Sequence, residues 1–436
     1  MNIESENKNI SFYTASSLVI AAMVGTGVFT SLGYQLVTIQ STFSILALWV
    51  IGGMVAFFGA LIYSELGLAL PRSGGEYHLL SKIIHPSIGF SAGVISSIVA
   101  FSAPAVICAM ACESYLKAVF PNLDLYPIGA FVIILFHVLH MRSVEYGSIF
   151  QNGSTALKIF LICVFCFFGT LTENYQPISL MSTKEDIFTI ISPNFAVGLV
   201  WVSYAYAGWS SSIYISSEIK DPSKNLPKSM LYGTIVVTLL YVLLNFTFLL
   251  TTPMDAMKGK IEIGYISGEY IFGEIGSKVM GIGISILLLS TMSSLIFIGP
   301  RVSQIIGEDH NFIKLLAKKK SNTIPINAYW FHLIISIFFI MTSSFETIVL
   351  YSGISMIIMT ILTSISLFIL RIKKPNINRP YKVWGFPYTP LIFLAVNIWI
   401  FFFSLLEFPL ESLIGISIVL LSMVLYWVGS RLSHKK

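Results

Sequence analysis

Charged side chains are scarce in this 436-residue chain: Asp, Glu, Lys and Arg make up 11% of it, against about 25% in an ordinary soluble domain. Joined to 55% hydrophobic residues and a mean hydropathy of +0.82, that scarcity excludes a disordered chain and argues against a soluble globular one. Cysteine is also rare. Cys108, Cys112, Cys163 and Cys166 all fall inside apolar runs, so neither a disulfide framework nor a metal-ligand spacing is read from them. There is no GxxxxGK[ST] phosphate loop, no His-Glu-x-x-His and no aspartate pair of a membrane-embedded transferase. No cofactor, no metal and no enzymatic activity are therefore expected. The formal net charge of +5 is no nucleic-acid footprint, because the basic residues lie in the connections between apolar runs. The opening MNIESENKN carries Glu4 and Glu6 and lacks the basic region of a signal peptide, so the first apolar segment is expected to remain in the mature protein.

What the chain has in abundance is long apolar runs, at about 12–35, 43–70, 86–116, 126–141, 151–172, 194–217, 228–251, 276–300, 326–343, 346–370, 387–406 and 409–429. At roughly 20 residues per span, twelve spans use about 240 residues and leave no room for a separate soluble domain. An ATP-driven pump, which needs such domains, is excluded. Runs this apolar must be helical, since lipid offers the backbone no partner and barrel strands would alternate. The chain reads as one all-α integral membrane domain. With the N-terminus on the cytoplasmic side, twenty of the 26 Lys and Arg residues fall in inside connections and five outside, while Lys158 lies within a span. That bias places both termini in the cytoplasm. The connections 72–85, 218–228 and 301–325 read as hydrophilic loops.

Two spans are interrupted by small residues near mid-depth. The first contains Met23-Val24-Gly25-Thr26-Gly27, and the sixth contains Tyr204-Ala205-Tyr206-Ala207-Gly208-Trp209-Ser210. A helix opened at the first site exposes N–H groups at the positive end of its second half, which suits a carboxylate. Carbonyls freed at the second suit an ammonium. Breaks in the first and sixth spans fit two five-helix halves of opposite orientation, because five is odd, and paired interruptions of this kind point to a transporter's site. The competing reading is that these glycines let helices pack closely. Lys158 lies well inside the fifth span. Placing a lysine at the bilayer centre costs at least about 2.5–3.5 kcal/mol, so it is expected to face the bundle interior as a cation where other carriers hold sodium. The alternative is a lysine snorkelling to the interface.

His137, His140 and His332 match no metal spacing and read as interior or interface residues. Glu65 and Glu218, at the ends of the second and sixth spans, read as structural hydrogen bonders. Ser290, Thr291, Ser293 and Ser294 cluster on the eighth span. Such hydroxyls usually bond back to their own helix, though this cluster could also ligate a cation or hold Lys158.

With these residues in hand, the chain resembles an amino acid permease of the APC (amino acid–polyamine–organocation) superfamily, closest to the L-type-like branch. Gly25-Thr26-Gly27-Val28-Phe29 resembles the family's G-S/T-G-I/V-F. Tyr63-Ser64-Glu65-Leu66-Gly67 with Pro71 through Tyr77 is similar to Y-x-E-L-G…P-x-S-G-G-x-Y. Tyr204 to Trp209, running on through Glu218, Lys220, Asp221-Pro222 and Asn225-Leu226-Pro227, resembles F-A-Y-x-G-W…E-x-K-N-P-x-x-N-x-P. Gly299-Pro300-Arg301-Val302 and Arg379-Pro380-Tyr381-Lys382-Val383 add later matches.

The resemblance implies a leucine-transporter fold, with inverted repeats at 12–172 and 194–370, two further helices at 387–429, and alternating access. It implies that the backbone of Gly25, Thr26 and Gly27 takes a substrate carboxylate and that carbonyls near Met23, Tyr204 and Ala205 take the amino group. Gly208 and Ser210 complete the substrate set, and Tyr204 stands where the family places a gating aromatic. Lys158, with Thr291 and Ser294, forms the coupling set in place of sodium. Ser210 stands where many L-type members carry Asn, and Ala207 where Gly is common. The connection at 117–125 has no Cys, whereas animal light chains use one there to bind a heavy chain, so a stand-alone protein in the cell membrane is expected. The leading expectation is sodium-independent exchange or proton symport of neutral amino acids. A polyamine carrier is the runner-up, although no acidic residue occupies the breaks. A non-transporting sensor would usually carry a long cytoplasmic extension, and no repeated filter-like segment supports a channel.

Overall fold

The computed structural model describes residues 10–72, 74–125, 127–142, 145–173, 175–319 and 324–433. The first apolar run is two helices. α1 (Phe12–Met23) starts at Ser11, whose hydroxyl accepts the Thr14 N–H at 3.3 Å, and α2 (Gly27–Gln35) resumes after the interruption. α3 (Thr42–Ala69) is capped by Ser41. The connection read as a loop holds α4 (Gly75–Ile83), entered through Gly74 at φ 140° and Gly75 at φ 56°. Only glycine reaches such values at little cost. α5 (Pro86–Ser97) and α6 (Ala103–Val119) form one span with a π-turn at Ile98–Ser102.

α7 (Ile128–Arg142), α8 (Glu145–Gly169) and the short α9 (Lys184–Ile190) follow. α9 opens on a capping box in which Thr183 and Asp186 satisfy each other's backbone N–H. The Asp186 carboxylate also accepts from Ser41 and Ser44, tying α9 to the start of α3. α10 (Pro193–Tyr206) ends at Ala207, and the chain crosses Gly208 at φ 113° before tight 3-10 turns over Ser211–Glu218. The second half holds α11 (Pro222–Thr251), α12 (Met254–Met257), α13 (Ile263–Asp309), α14 (Ile326–Thr342), α15 (Phe345–Lys373), α16 (Tyr388–Glu407) and α17 (Pro409–Ser433).

By length and apolarity, eight segments of the described residues can cross a bilayer: Phe12–Gln35, Thr42–Ala69, Pro86–Val119, Pro222–Thr251, Ile263–Asp309, Phe345–Lys373, Tyr388–Glu407 and Pro409–Leu432. A ninth is the pair Lys184–Ile190 and Pro193–Ser216, bent by 62°. Ile128–Arg142, Ala156–Gly169 and Ile326–Thr342 are shorter apolar helices. The eighth run differs from its expected bounds of 276–300. α13 continues through Pro300 to Asp309 and begins at Ile263, with non-helical geometry at Gly273 (φ 70°) separating a short leading segment.

α1, α2, α6, α10, α11 and α13 pack around one another, α13 chiefly on α6 and α11 on α3 and α1. α16 and α17 lie outermost and leave Leu406, Leu420 and Leu421 exposed. One charge pair locks the bundle at the end of α3. Arg371 donates from Nε and Nη2 to the two oxygens of Glu65 at 2.9 and 2.6 Å, and the Val383 N–H adds a third bond at 2.7 Å. Glu65 is fully buried, and the guanidinium also covers the Phe386 ring at 3.7 Å. The structural role expected for Glu65 holds. At Glu218 the backbone carbonyl accepts the Ile10 N–H at 3.1 Å.

Candidate functional site

The two interruptions face each other. Gly27 lies directly against the backbone of Ala205, and Gly208 against the carbonyl of Ala22, where an added Cβ would stand 2.7 Å from its carbon and oxygen. Close helix approach and an opened backbone, posed as rivals from the sequence, coexist here. Gly25 is different: a Cβ there would meet only Thr291 Cγ2, at 3.6 Å, and the Met23 carbonyl oxygen, at 3.9 Å.

Between the breaks lies a cavity of about 520 Å³. Its wall contains Met23, Gly25, Thr26, Gly27, Tyr204, Ala205, Gly208 and Ser210, together with Lys158, Thr291 and Ser294. The whole substrate set and the whole coupling set thus reach one space, though they come from four separate stretches of chain. Lys158 is 5% exposed, as expected for a lysine turned inward from α8. Cys108 of α6 lies on the same wall. The hydroxyls of Thr291 and Ser294 bond back to Leu287 O at 3.0 Å and Ser290 O at 3.1 Å, which spends their protons and keeps their capacity to accept.

The cavity runs from the breaks toward the face on which α1 begins, past Leu18, Tyr77, Arg301 and Ile305. In the other direction, the Tyr34 ring stacks on Trp201 at 4.4 Å with 8° between the planes, and on Phe345 at 5.8 Å. Offset stacks of this kind hold these rings in fixed register.

Residues to which the sequence assigned no role at the site complete it. The Tyr241 hydroxyl, from α11, lies 2.6 Å from Met23 O and 3.1 Å from Ala205 O, so it spans carbonyls freed at both breaks. Having one hydrogen, it donates to one of them at a time. Tyr115 makes a similar link, donating to Phe29 O at 3.0 Å while accepting the Gly264 N–H at 2.9 Å. Arg301 points its guanidinium over the Phe297 ring at 3.5 Å and donates to Phe297 O and to the Tyr329 hydroxyl. A lone Tyr in an apolar run and an Arg near a span end carry no spacing signal, which is why only the fold reveals them.

The three histidines are interior residues, as expected. His140 meets Ser293 Oγ at 3.0 Å, and His332 sits among Ser97, Ser102 and Ser303 at 2.7 to 3.1 Å. Among the described residues no cluster of His, Cys, Asp and Glu could hold a metal ion.

Comparison with known proteins identifies the family. The chain is similar to the mouse protein named large neutral amino acids transporter small subunit 2, at 26% identity over 98% of this chain and 82% of that protein. It is similar to the serine/threonine exchanger SteT of Bacillus subtilis at 25% identity, over 96% of each chain. It also resembles the mouse b(0,+)-type amino acid transporter 1 at 24% identity, over 97% of this chain and 88% of that protein. The family model described as amino acid permease matches residues 10–429, and the chain belongs to that family.

Proposed function

We propose that this chain is a secondary active transporter that carries neutral amino acids by alternating access, without sodium, through exchange or proton symport. The observation that carries this reading is the convergence of both helix breaks and Lys158 on one cavity. The opened backbone around Gly25–Gly27 holds the substrate carboxylate, carbonyls near Met23, Tyr204 and Ala205 hold its ammonium, and Gly208 and Ser210 bound the side chain. Tyr204 is the gate and Lys158, with Thr291 and Ser294, the coupling group. No bond in the substrate is made or broken, so the protein is not an enzyme and needs no cofactor.

The same reading takes the eight long segments, the bent pair and the three shorter apolar helices as twelve spans on a leucine-transporter fold, with inverted repeats at 12–172 and 194–370 and two further helices at 387–429. Both termini then face the cytoplasm of a cell membrane. Among the described residues the cavity wall carries Lys158 and Arg301 but no Asp or Glu, which favours a ligand bearing a carboxylate over a polyamine. Cys108, Cys112 and Cys166 are buried, Cys163 is exposed but lies inside the apolar run of α8, and the connection at 117–125 has no Cys, which supports a protein that works without a disulfide-linked heavy chain.

The test is uptake and exchange of a panel of labelled amino acids in proteoliposomes, with and without sodium and a pH gradient. Saturable exchange of neutral amino acids in sodium-free buffer is the expected result. Transport of polyamines alone, or substrate binding without flux, would replace this reading by an organic-amine carrier or a sensor.

A further inference from the structure

A second, smaller cavity of about 100 Å³ adjoins the first and shares Tyr204, Ala207, Gly208, Ser210 and Tyr214 with it. One carboxylate reaches it, that of Glu76 in the first turn of α4. Its Oε1 accepts the hydroxyl proton of Tyr63, which is itself buried on α3. The geometry places Glu76 beside the candidate site without being part of it. Gly74 and Tyr77 line the larger cavity while Glu76 lines the smaller, so the first turn of α4 is a partition between them. The Tyr214 ring lies flush against Gly75, where a Cβ would come within 2.3 Å of it.

Among the described residues the surroundings supply no counter-charge. From α3 the neighbouring titratable groups are Tyr63 and Glu65, the latter gripped by Arg371. α5 offers Ser96, α10 offers Tyr204 and Tyr206, α15 offers Thr360, α16 offers Asn397, and Tyr214 faces in from the 3-10 turns. On α4 itself, Tyr77 turns to Asp309 at 2.7 Å. Among the described residues none of the ion pairs includes Glu76.

We propose that Glu76 is a proton-binding site whose occupancy is coupled to opening of the cavity at the two breaks. This deepens the transport reading and rests on it. Half-buried and with no cation beside it, the carboxylate is disfavoured in its ionised form, and this desolvation pushes its pKa up from the ordinary 4.5 to about 7, with the Tyr63 hydrogen bond opposing the rise. A proton taken from water forms an O–H bond on the carboxylate as the partition closes. When α4 swings away about Gly74–Gly75 and water enters, that proton returns to solvent. The sign follows by linkage: the state in which Glu76 is buried binds the proton more tightly, so acidification through about 7 favours that state and alkalinity favours the hydrated one.

Two measurements test this. Difference infrared spectroscopy of the purified protein is expected to show a protonated-carboxyl band that disappears with a midpoint near 7. Glu76→Gln should remove the band, and Tyr63→Phe should move the midpoint upward. A band that persists in Glu76→Gln, or no titrating carboxyl in this range, overturns the proposal. In proteoliposomes, wild-type amino acid exchange should vary by up to about tenfold per pH unit on one side of the midpoint, whereas the Glu76→Gln profile, scaled to its own maximum, should be flat. Superimposable profiles overturn the coupling. A wild type that moves no amino acid at any pH overturns the transport reading and takes the coupling with it, an outcome seen before any variant is compared.

Discussion

Gly27 and Ala205 meet backbone to backbone: a Cβ built on Gly27 would stand 2.4 Å from the Cα of Ala205. The first break is therefore held by steric exclusion as well as by opened hydrogen bonds. Gly27→Val forces the two interrupted helices apart, at an overpacking cost of about 1–3 kcal/mol or more. Thermal unfolding in detergent should show a lower melting temperature. Gly25→Val, whose new atoms extend toward the cavity and Thr291, should melt like wild type while losing amino acid binding. Equal melting temperatures for the two variants would show that the Gly27–Ala205 contact does not govern packing.

The Tyr241 hydroxyl is the second tie between the breaks. Tyr241→Phe keeps the ring and deletes one buried hydrogen bond, worth about 0.5–1.5 kcal/mol net. Exchange activity should fall by about twofold to tenfold, and amino acids should protect less against thermal unfolding. An unchanged rate would mean that the freed carbonyls are held open without it.

The Glu65–Arg371 pair anchors α3 to α15 and to the Val383 backbone. Removing one partner leaves the other charge unpaired, a loss of about 3–5 kcal/mol in buried pairs. Glu65→Ala and Arg371→Ala should each lower the melting temperature sharply. The double variant Glu65→Leu, Arg371→Met should recover part of the loss, because no lone charge remains. Single variants as stable as wild type would remove this pair from the stabilising contacts.

Much of this was legible in the chain, and the reasons are local. The Gly25-Thr26-Gly27 and Ala207-Gly208 stretches announce broken helices because small residues interrupt apolar runs, and a lysine embedded in an apolar run must turn inward. These residues do line one cavity. α4 was not legible, since its polar residues and the Gly74-Gly75 pair look like a loop until the fold buries His78, Leu79 and Leu80. Tyr241 acts through Met23 and Ala205, Arg301 through Tyr329 besides its helix neighbour Phe297, and Glu76 through Tyr63 of the preceding helix, and no hydrophobic periodicity records such contacts. The role of Gly27 was half legible: its lack of a side chain reads as room for a ligand, whereas the group that fills that space is Ala205.

Lys158 carries the last prediction. It reaches the cavity from α8, beside Cys108 and opposite Thr26, Thr291 and Ser294, and is buried. An ammonium at this place supplies from the protein the positive charge that a bound cation would otherwise supply, so transport should proceed equally in choline and sodium buffers. Lys158→Ala removes that charge and leaves a void on the wall, and uptake should drop by an order of magnitude or more. Lys158→Arg retains the charge, but its planar fork is larger and directs its donors differently from a compact ammonium, so activity should be intermediate. Tracer uptake by wild type and both variants in the two buffers decides the matter. Strict sodium dependence in the wild type, or full activity in Lys158→Ala, would strip Lys158 of a coupling role. A rescue of Lys158→Ala by sodium alone would instead strengthen it, because a mobile cation would then be doing what the fixed one had done.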